Sequence, residues 1–209
     1  MNAIPQKKRG TSKTGDPVSL TVGYKGGLSS CSGYAVHHRE ELKPALQDYI
    51  ERAAVPYYQA YVCWLKEIRI GMRGGELWRK IDAVLPRETY HWSLCPGHLT
   101  ADEEWLSSPV YEGSEEILKS GMLFQIDILP SVSGYGGANA ESTVALADEK
   151  LRDDIRKCSP ELWQRIEARR NYIQTELRIP LSEEILPMCS GVGYLRPFLL
   201  NKDCAMRAV

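Results

Sequence analysis

The sequence has no apolar run approaching the ~20 residues that a membrane-spanning helix needs, and no apolar core of a secretion signal near its start. It also lacks charge of either sign in excess. Twenty-six basic side chains against 27 acidic ones leave a formal net charge of −1, which gives no support for binding nucleic acid or an acidic membrane, either of which asks for a basic face. The six cysteines, at positions 31, 63, 95, 158, 189 and 204, stand singly with no Cys-x-x-Cys pair. That spacing excludes a structural zinc knuckle and a redox dithiol, and it reads as free thiols in a reducing cytoplasm. Glycine-rich 23–27 lacks the Gly-Lys-Ser/Thr ending of a phosphate loop. There is no internal repeat and no long linker. What remains is an ordinary globular composition, 43% hydrophobic and 25% charged over 209 residues, long enough to bury one proper core.

Read in order, residues 1–15 form a polar lead-in with Gln-Lys-Lys-Arg at 6–9, predicted to be disordered, and 16–209 form one α+β domain. Val18 to Tyr24 alternates as a strand, Lys25-Gly-Gly27 turns it, and Leu28 to His37 returns as its hairpin partner. Leu42, Ala45, Leu46, Tyr49, Ile50 and Ala53 recur at helical spacing, continued by Tyr57, Tyr58, Tyr61, Trp64, Leu65 and Ile68. They predict a long helix over 40–70 that Pro56 kinks. A shorter helix follows from Glu76 to Leu85. Strands are expected over 121–129 and 140–147, helices over 147–157 and 160–177, and a proline-containing tail wraps the domain.

Residue chemistry singles out His98 in Cys-Pro-Gly-His (95–98), Asp127 in Met-Leu-Phe-Gln-Ile-Asp-Ile-Leu, and Glu141 in Asn-Ala-Glu-Ser-Thr. A carboxylate inside an apolar run must be paired when buried. A metal ion, a cationic partner or a proton each meets that need, and nitrogen and oxygen ligands suit manganese, zinc, cobalt or iron. The competing reading pairs Asp127 with an arginine and leaves Glu141 in water. His91 stands seven residues before His98 and either joins the pocket or is a satisfied core histidine. Cys95 has no base beside it and is not read as a nucleophile. His37 and His38 read as edge histidines, and Arg169 and Arg170 as partners of helix carboxylates. Asp102-Glu103-Glu104 either attracts a substrate amino group or is a solvated face.

Pro96-Gly97-His98, Gly121-Met122 to Asp127, Glu141-Ser-Thr and Gly71-Met-Arg-Gly-Gly-Glu-Leu77, in that arrangement around the long helix, resemble the pita-bread metallopeptidases. That superfamily includes methionine aminopeptidase, prolidase, Xaa-Pro aminopeptidase and creatinase. The resemblance implies a curved, mostly antiparallel sheet with helices on its outer face. It also implies a two-ion site, with His98, Asp127 and Glu141 as ligands and Asp127 as proton shuttle. His91 is a further catalytic candidate, and Trp105 stands about where a substrate-handling histidine would fall. The sequence departs from the pattern in its early hairpin, Thr21 to Gly33. This segment contains no acidic residue where the family carries two metal-binding aspartates. The resemblance therefore implies an Xaa-Pro aminopeptidase-like enzyme on peptide substrates, with one divalent ion or none and impaired catalysis. Its alternative is a non-catalytic module of the same fold that binds a peptide, a small ligand or a protein partner. The chain begins close to the hairpin, so a domain incomplete at its N-terminal side is expected, and an unpaired sheet edge there favours a homodimer.

Overall fold

The computed structural model describes residues 11–24, 27–93, 95–100 and 107–209. Their framework is an antiparallel sheet built from β1 (Pro17–Tyr24), β2 (Gly27–Tyr34), β3 (His98–Leu99), β4 (Leu123–Ile126), β5 (Asn139–Leu146) and β6 (Ile185–Pro187). The spatial order is β1-β2-β5-β4-β3, with β6 also on β5. β5 is buried at every position. Its residues 142–145 pair with β4, so β2 (against 139–141) and β6 (against 144–146) share the opposite edge. The hairpin β1–β2 is in register from Pro17↔Tyr34 to Tyr24↔Gly27, as its alternation predicts. β1 is an outer strand of this order, and its Leu20 and Val22 are exposed. No helix among the described residues is long and apolar enough to cross a membrane.

The expected run of helix over 40–70 is only partly continuous. Two short 3-10 turns, Arg39–Glu41 and Pro44–Leu46, precede a π-helical turn at Ile50–Ala54, which runs into α1 (Val55–Glu67). Pro44 and Pro56 have no N–H to place in an α-helical ladder, and the backbone widens or tightens around them instead of bending one long helix. α1 then lays Tyr57, Tyr61 and Trp64 on the sheet. The Tyr57 hydroxyl accepts from the Ala140 backbone N–H at 2.6 Å, Tyr61 hydrogen-bonds Ser142, and Trp64 meets Phe124 edge-on with centroids 5.9 Å apart. By strand alternation, Ala140, Ser142, Val144, Phe124 and Ile126 therefore face the helices, while Glu141, Thr143, Gln125 and Asp127 face the other way.

α2 (Gly74–Val84) starts on two glycines rather than after them. A Cβ at Gly74 would lie 1.8 Å from the Pro109 carbonyl oxygen, and one at Gly75 2.6 Å from that of Ser114. The helix thus begins pressed against the 109–114 loop. α3 (Arg87–Tyr90) is a single turn. α4 (Glu149–Cys158) is capped by Asp148, whose side chain accepts from the Leu151 N–H at 2.8 Å. α5 (Pro160–Thr175) packs with it on Ala145 and Leu186 through Ile166, closing one end of the polar side of the sheet. Arg169 and Arg170 do not pair with helix carboxylates. Arg169 donates to the Pro187 carbonyl at 3.2 Å, and Arg170 to those of Ser182 (2.9 Å) and Ile185. The acceptors are carbonyls of the tail segment 182–187.

Gly74→Ala is expected to destabilise the fold by about 1–3 kcal/mol, because the clash is with backbone. Gly137→Ala, where a Cβ would find only Ser32 Oγ at 3.6 Å, should stay within about 0.5 kcal/mol. Urea denaturation of both variants checks the difference.

Candidate metal centre

Three strands bring the candidate ligands together. The turn at Cys95-Pro-Gly-His98 lies against Trp64. Gly97 has φ +140°, and a Cβ there would sit 3.0 Å from Trp64 Nε1 and 3.2 Å from the Gln125 carbonyl oxygen. Only glycine lets this turn approach so closely. The turn is held from outside by Ser108, whose hydroxyl donates to the Gly97 carbonyl at 2.7 Å. His98 then enters β3 directly across from Gln125, and Gln125 lies across from Thr143 on β5. Asp127 follows two residues after Gln125, and Glu141 precedes Thr143 by two, so all five share one face of the sheet.

His98, Asp127 and Glu141 are all buried, and one donor atom of each lies within 4.8 Å of the others. Among the described residues this is the group of three or more such side chains close enough to hold an ion. His98 Nδ1 is 3.0 Å from the Leu99 carbonyl oxygen. A carbonyl can only accept, so Nδ1 carries a proton, and Nε2 faces Asp127 Oδ2, 3.7 Å away. A proton on Nε2 or a cation between the two atoms makes that approach favourable. Glu141 is held on its other side, where Gln125 Nε2 donates to Oε1 at 3.2 Å. The Thr143 hydroxyl donates to Gln125 Oε1 and so fixes which end of the amide meets Glu141.

The donor set fits a divalent ion. Two carboxylates and a neutral imidazole carry two negative charges, and nitrogen and oxygen donors suit a borderline first-row metal. Donors about 2.1 Å from one ion lie at most about 4.2 Å apart, so a spread of 4.8 Å closes by small side-chain rotations. Around this group the sheet is neutral. Ser30 on β2 lies directly across from Glu141 and Ser32 across from Asn139. Thr21 Oγ1 meets Ser30 Oγ at 3.1 Å. The hairpin thus sets serines and a threonine beside the site.

The other expected site residues fall elsewhere. His91 is exposed and takes the left-handed conformation (φ 46°) that ends α3, so it does not join the cluster. Asp16 is exposed and accepts from the Lys13 N–H at 2.8 Å in the turn before β1. Trp105, like Asp102-Glu103-Glu104, lies outside the described residues. Cys95 is buried, and all six cysteines are free thiols. Gln125 and Thr143 were not singled out in the sequence. The signal for them was there: each stands two residues from an acidic candidate within a strand, hence on its face.

No protein-family model matches the sequence, and no curated protein matches it. Solved structures do. Dipeptidase PepE from Mycobacterium ulcerans superposes with a TM-score of 0.51 at 20% identity, over 65% of this chain and 36% of that one. The chain has the pita-bread fold. An Xaa-Pro dipeptidase from Bacillus anthracis (TM-score 0.47, 20% identity) is similar over 66% of this chain and 38% of its own. Methionine aminopeptidase from Rickettsia prowazekii (TM-score 0.43, 19% identity) is similar over 65% of this chain and 62% of its own. The chain thus spans about a third of the length of the dipeptidase it matches. In the pita-bread sheet described here, the His98–Asp127–Glu141 group lies on the face turned away from α1.

Manganese supplied at about 100 times its dissociation constant should stabilise the folded chain by about 2.7 kcal/mol. Asp127→Asn should abolish that shift without lowering the stability of the ion-free protein, since it removes a buried charge. Thermal melts with and without the ion, on both proteins, check this.

Proposed function

We propose that this chain is a metal-dependent peptidase of the Xaa-Pro aminopeptidase type, which removes the N-terminal residue of a peptide with one divalent ion at His98, Asp127 and Glu141. The observation that carries the reading is the convergence of these three buried donors within 4.8 Å on a pita-bread sheet. When bound, such an ion polarises a peptide carbonyl and lowers the pKa of a coordinated water. The chain's own residues prepare that chemistry. Leu99 fixes the tautomer of His98, Gln125 orients Glu141, and Asp127 is the carboxylate placed beside the imidazole to accept and return a proton. The hydroxyls of Ser30, Ser32 and Thr21 offer neutral hydrogen-bonding groups to the peptide in place of further charge.

Those same hydroxyls favour a second reading. A site with one ion and a neutral wall has less charge to stabilise a developing oxyanion than one surrounded by carboxylates. The pocket then serves to bind a peptide, a small ligand or a partner without cleaving it.

Chelator-stripped protein titrated with manganese, cobalt and zinc should take up one ion per chain, and His98→Ala should lose it. With the ion restored, Xaa-Pro dipeptides should be cleaved slowly, and His98→Ala should show no cleavage above buffer. Uptake of the ion without release of the N-terminal residue would decide for the binding module. No uptake above the His98→Ala level would remove the enzyme reading.

A further inference from the structure

We propose that the hollow between α4, α5 and the segment before β6 binds a phosphate group, held by the guanidinium groups of Arg152, Arg156 and Arg170. It shares no residue with the His98–Asp127–Glu141 group and does not depend on the metal reading.

The hollow has a volume of about 340 Å³, at the lower end of the ~300–1,000 Å³ of small-ligand sites. α4 brings Arg152 and Arg156 to it, four residues apart and so on one helix face. α5 brings Trp163, Glu167 and Arg170, again at helical spacing, and Glu183 lines it from the segment before β6. The Arg156 guanidinium lies over the Trp163 ring, 4.4 Å from its centroid, which holds a flexible cation in place. Arg152 keeps only 12% of its side chain exposed. Its Nη1 donates to the Ala147 carbonyl at 2.9 Å and its Nη2 to Glu183 at 3.3 Å.

Arg170 is the group that points to a ligand. Its Nη1 donates to the Ser182 and Ile185 carbonyls. Among the described residues its Nε and Nη2 have no hydrogen-bond partner, and no carboxylate forms an ion pair with it. Those two nitrogens form the side-on edge of the guanidinium, whose parallel N–H groups fit two oxygens of one phosphate. Burial lowers the pKa of Arg170, Glu167 and Glu183 oppose that shift, and Arg152 adds to it. A guanidinium stays charged in spite of this, so a half-buried cation beside a second one is stabilised by an anion between them.

The carboxylates leave room for that anion. Glu167 and Glu183 are both exposed, and Asp153 pairs with Arg156 from outside the hollow. Three guanidinium groups against two lining carboxylates leave positive charge in excess. Glu183, 85% exposed, is a tethered anion that a phosphate can displace from Arg152.

The test is calorimetric titration of the chelator-treated full chain with inorganic phosphate, so that no divalent ion can hold the phosphate elsewhere. Wild type should bind one phosphate per chain. Arg156→Gln, and Arg170→Lys, which keeps the charge but loses the side-on pair of N–H groups, should each weaken binding about 10-fold or more. Glu183→Gln removes the competing anion and should tighten it by about 2–5-fold. Circular dichroism checks that each variant folds, and should Arg170→Lys fail to fold, Arg156→Gln and Glu183→Gln carry the test. Phenyl phosphate is the second probe. Tighter binding than inorganic phosphate supports an esterified phosphate whose carrier lies beside Trp163, and equal binding supports free phosphate. No saturable binding in wild type would overturn the proposal, as would affinity unchanged in both arginine variants. Acetate bound as tightly as phosphate would also overturn it.

Discussion

Two carboxylates and an imidazole are buried within 4.8 Å of one another, and the surrounding structure is arranged to keep them there. Taking ionised carboxylates out of water is strongly unfavourable unless each oxygen finds a partner. Here the partners come in layers. The Leu99 carbonyl accepts from Nδ1 of His98, Gln125 donates to Glu141, and Thr143 donates to Gln125. A buried polar network of this kind fixes orientation when its members are satisfied, and a divalent ion is the natural complement of its net charge.

That arrangement depends on what lies beneath it. β5 is held in place from the opposite side by the phenols of Tyr57 and Tyr61, which hydrogen-bond Ala140 and Ser142. Burial raises both phenols well above their ordinary pKa. For Tyr57, Tyr61 adds to the rise, and the charges of Asp127 and Glu141 contribute further. Trp64 extends the same stripe to Phe124 and to the turn at Gly97 that leads into β3.

The hairpin gives the site its particular chemistry. Its strand geometry places Ser30 directly across from Glu141. Serine and threonine bring hydrogen bonds without charge, so among the described residues the charge of the site comes from Asp127, Glu141 and His98.

The sequence by itself determined the β1–β2 hairpin, the strands β4 and β5, the aromatic face of α1 and the acidic candidates, but not the short strands β3 and β6. Period-2 alternation and helical spacing are local, and a carboxylate in an apolar run is conspicuous wherever it lies. It did not determine that helix would begin at Ile50 rather than Glu40, since Pro44 and Pro56 redirect hydrogen bonds in ways that apolar spacing does not register. Nor could it place His91, which lies near His98 in the chain but itself takes the left-handed conformation that ends α3 and is exposed. Only the tertiary structure decided that His98, Asp127 and Glu141 meet, and that Gln125 stands between them. Those contacts are fixed by antiparallel register between strands far apart in the chain, and register is set by which face of each strand is buried against α1.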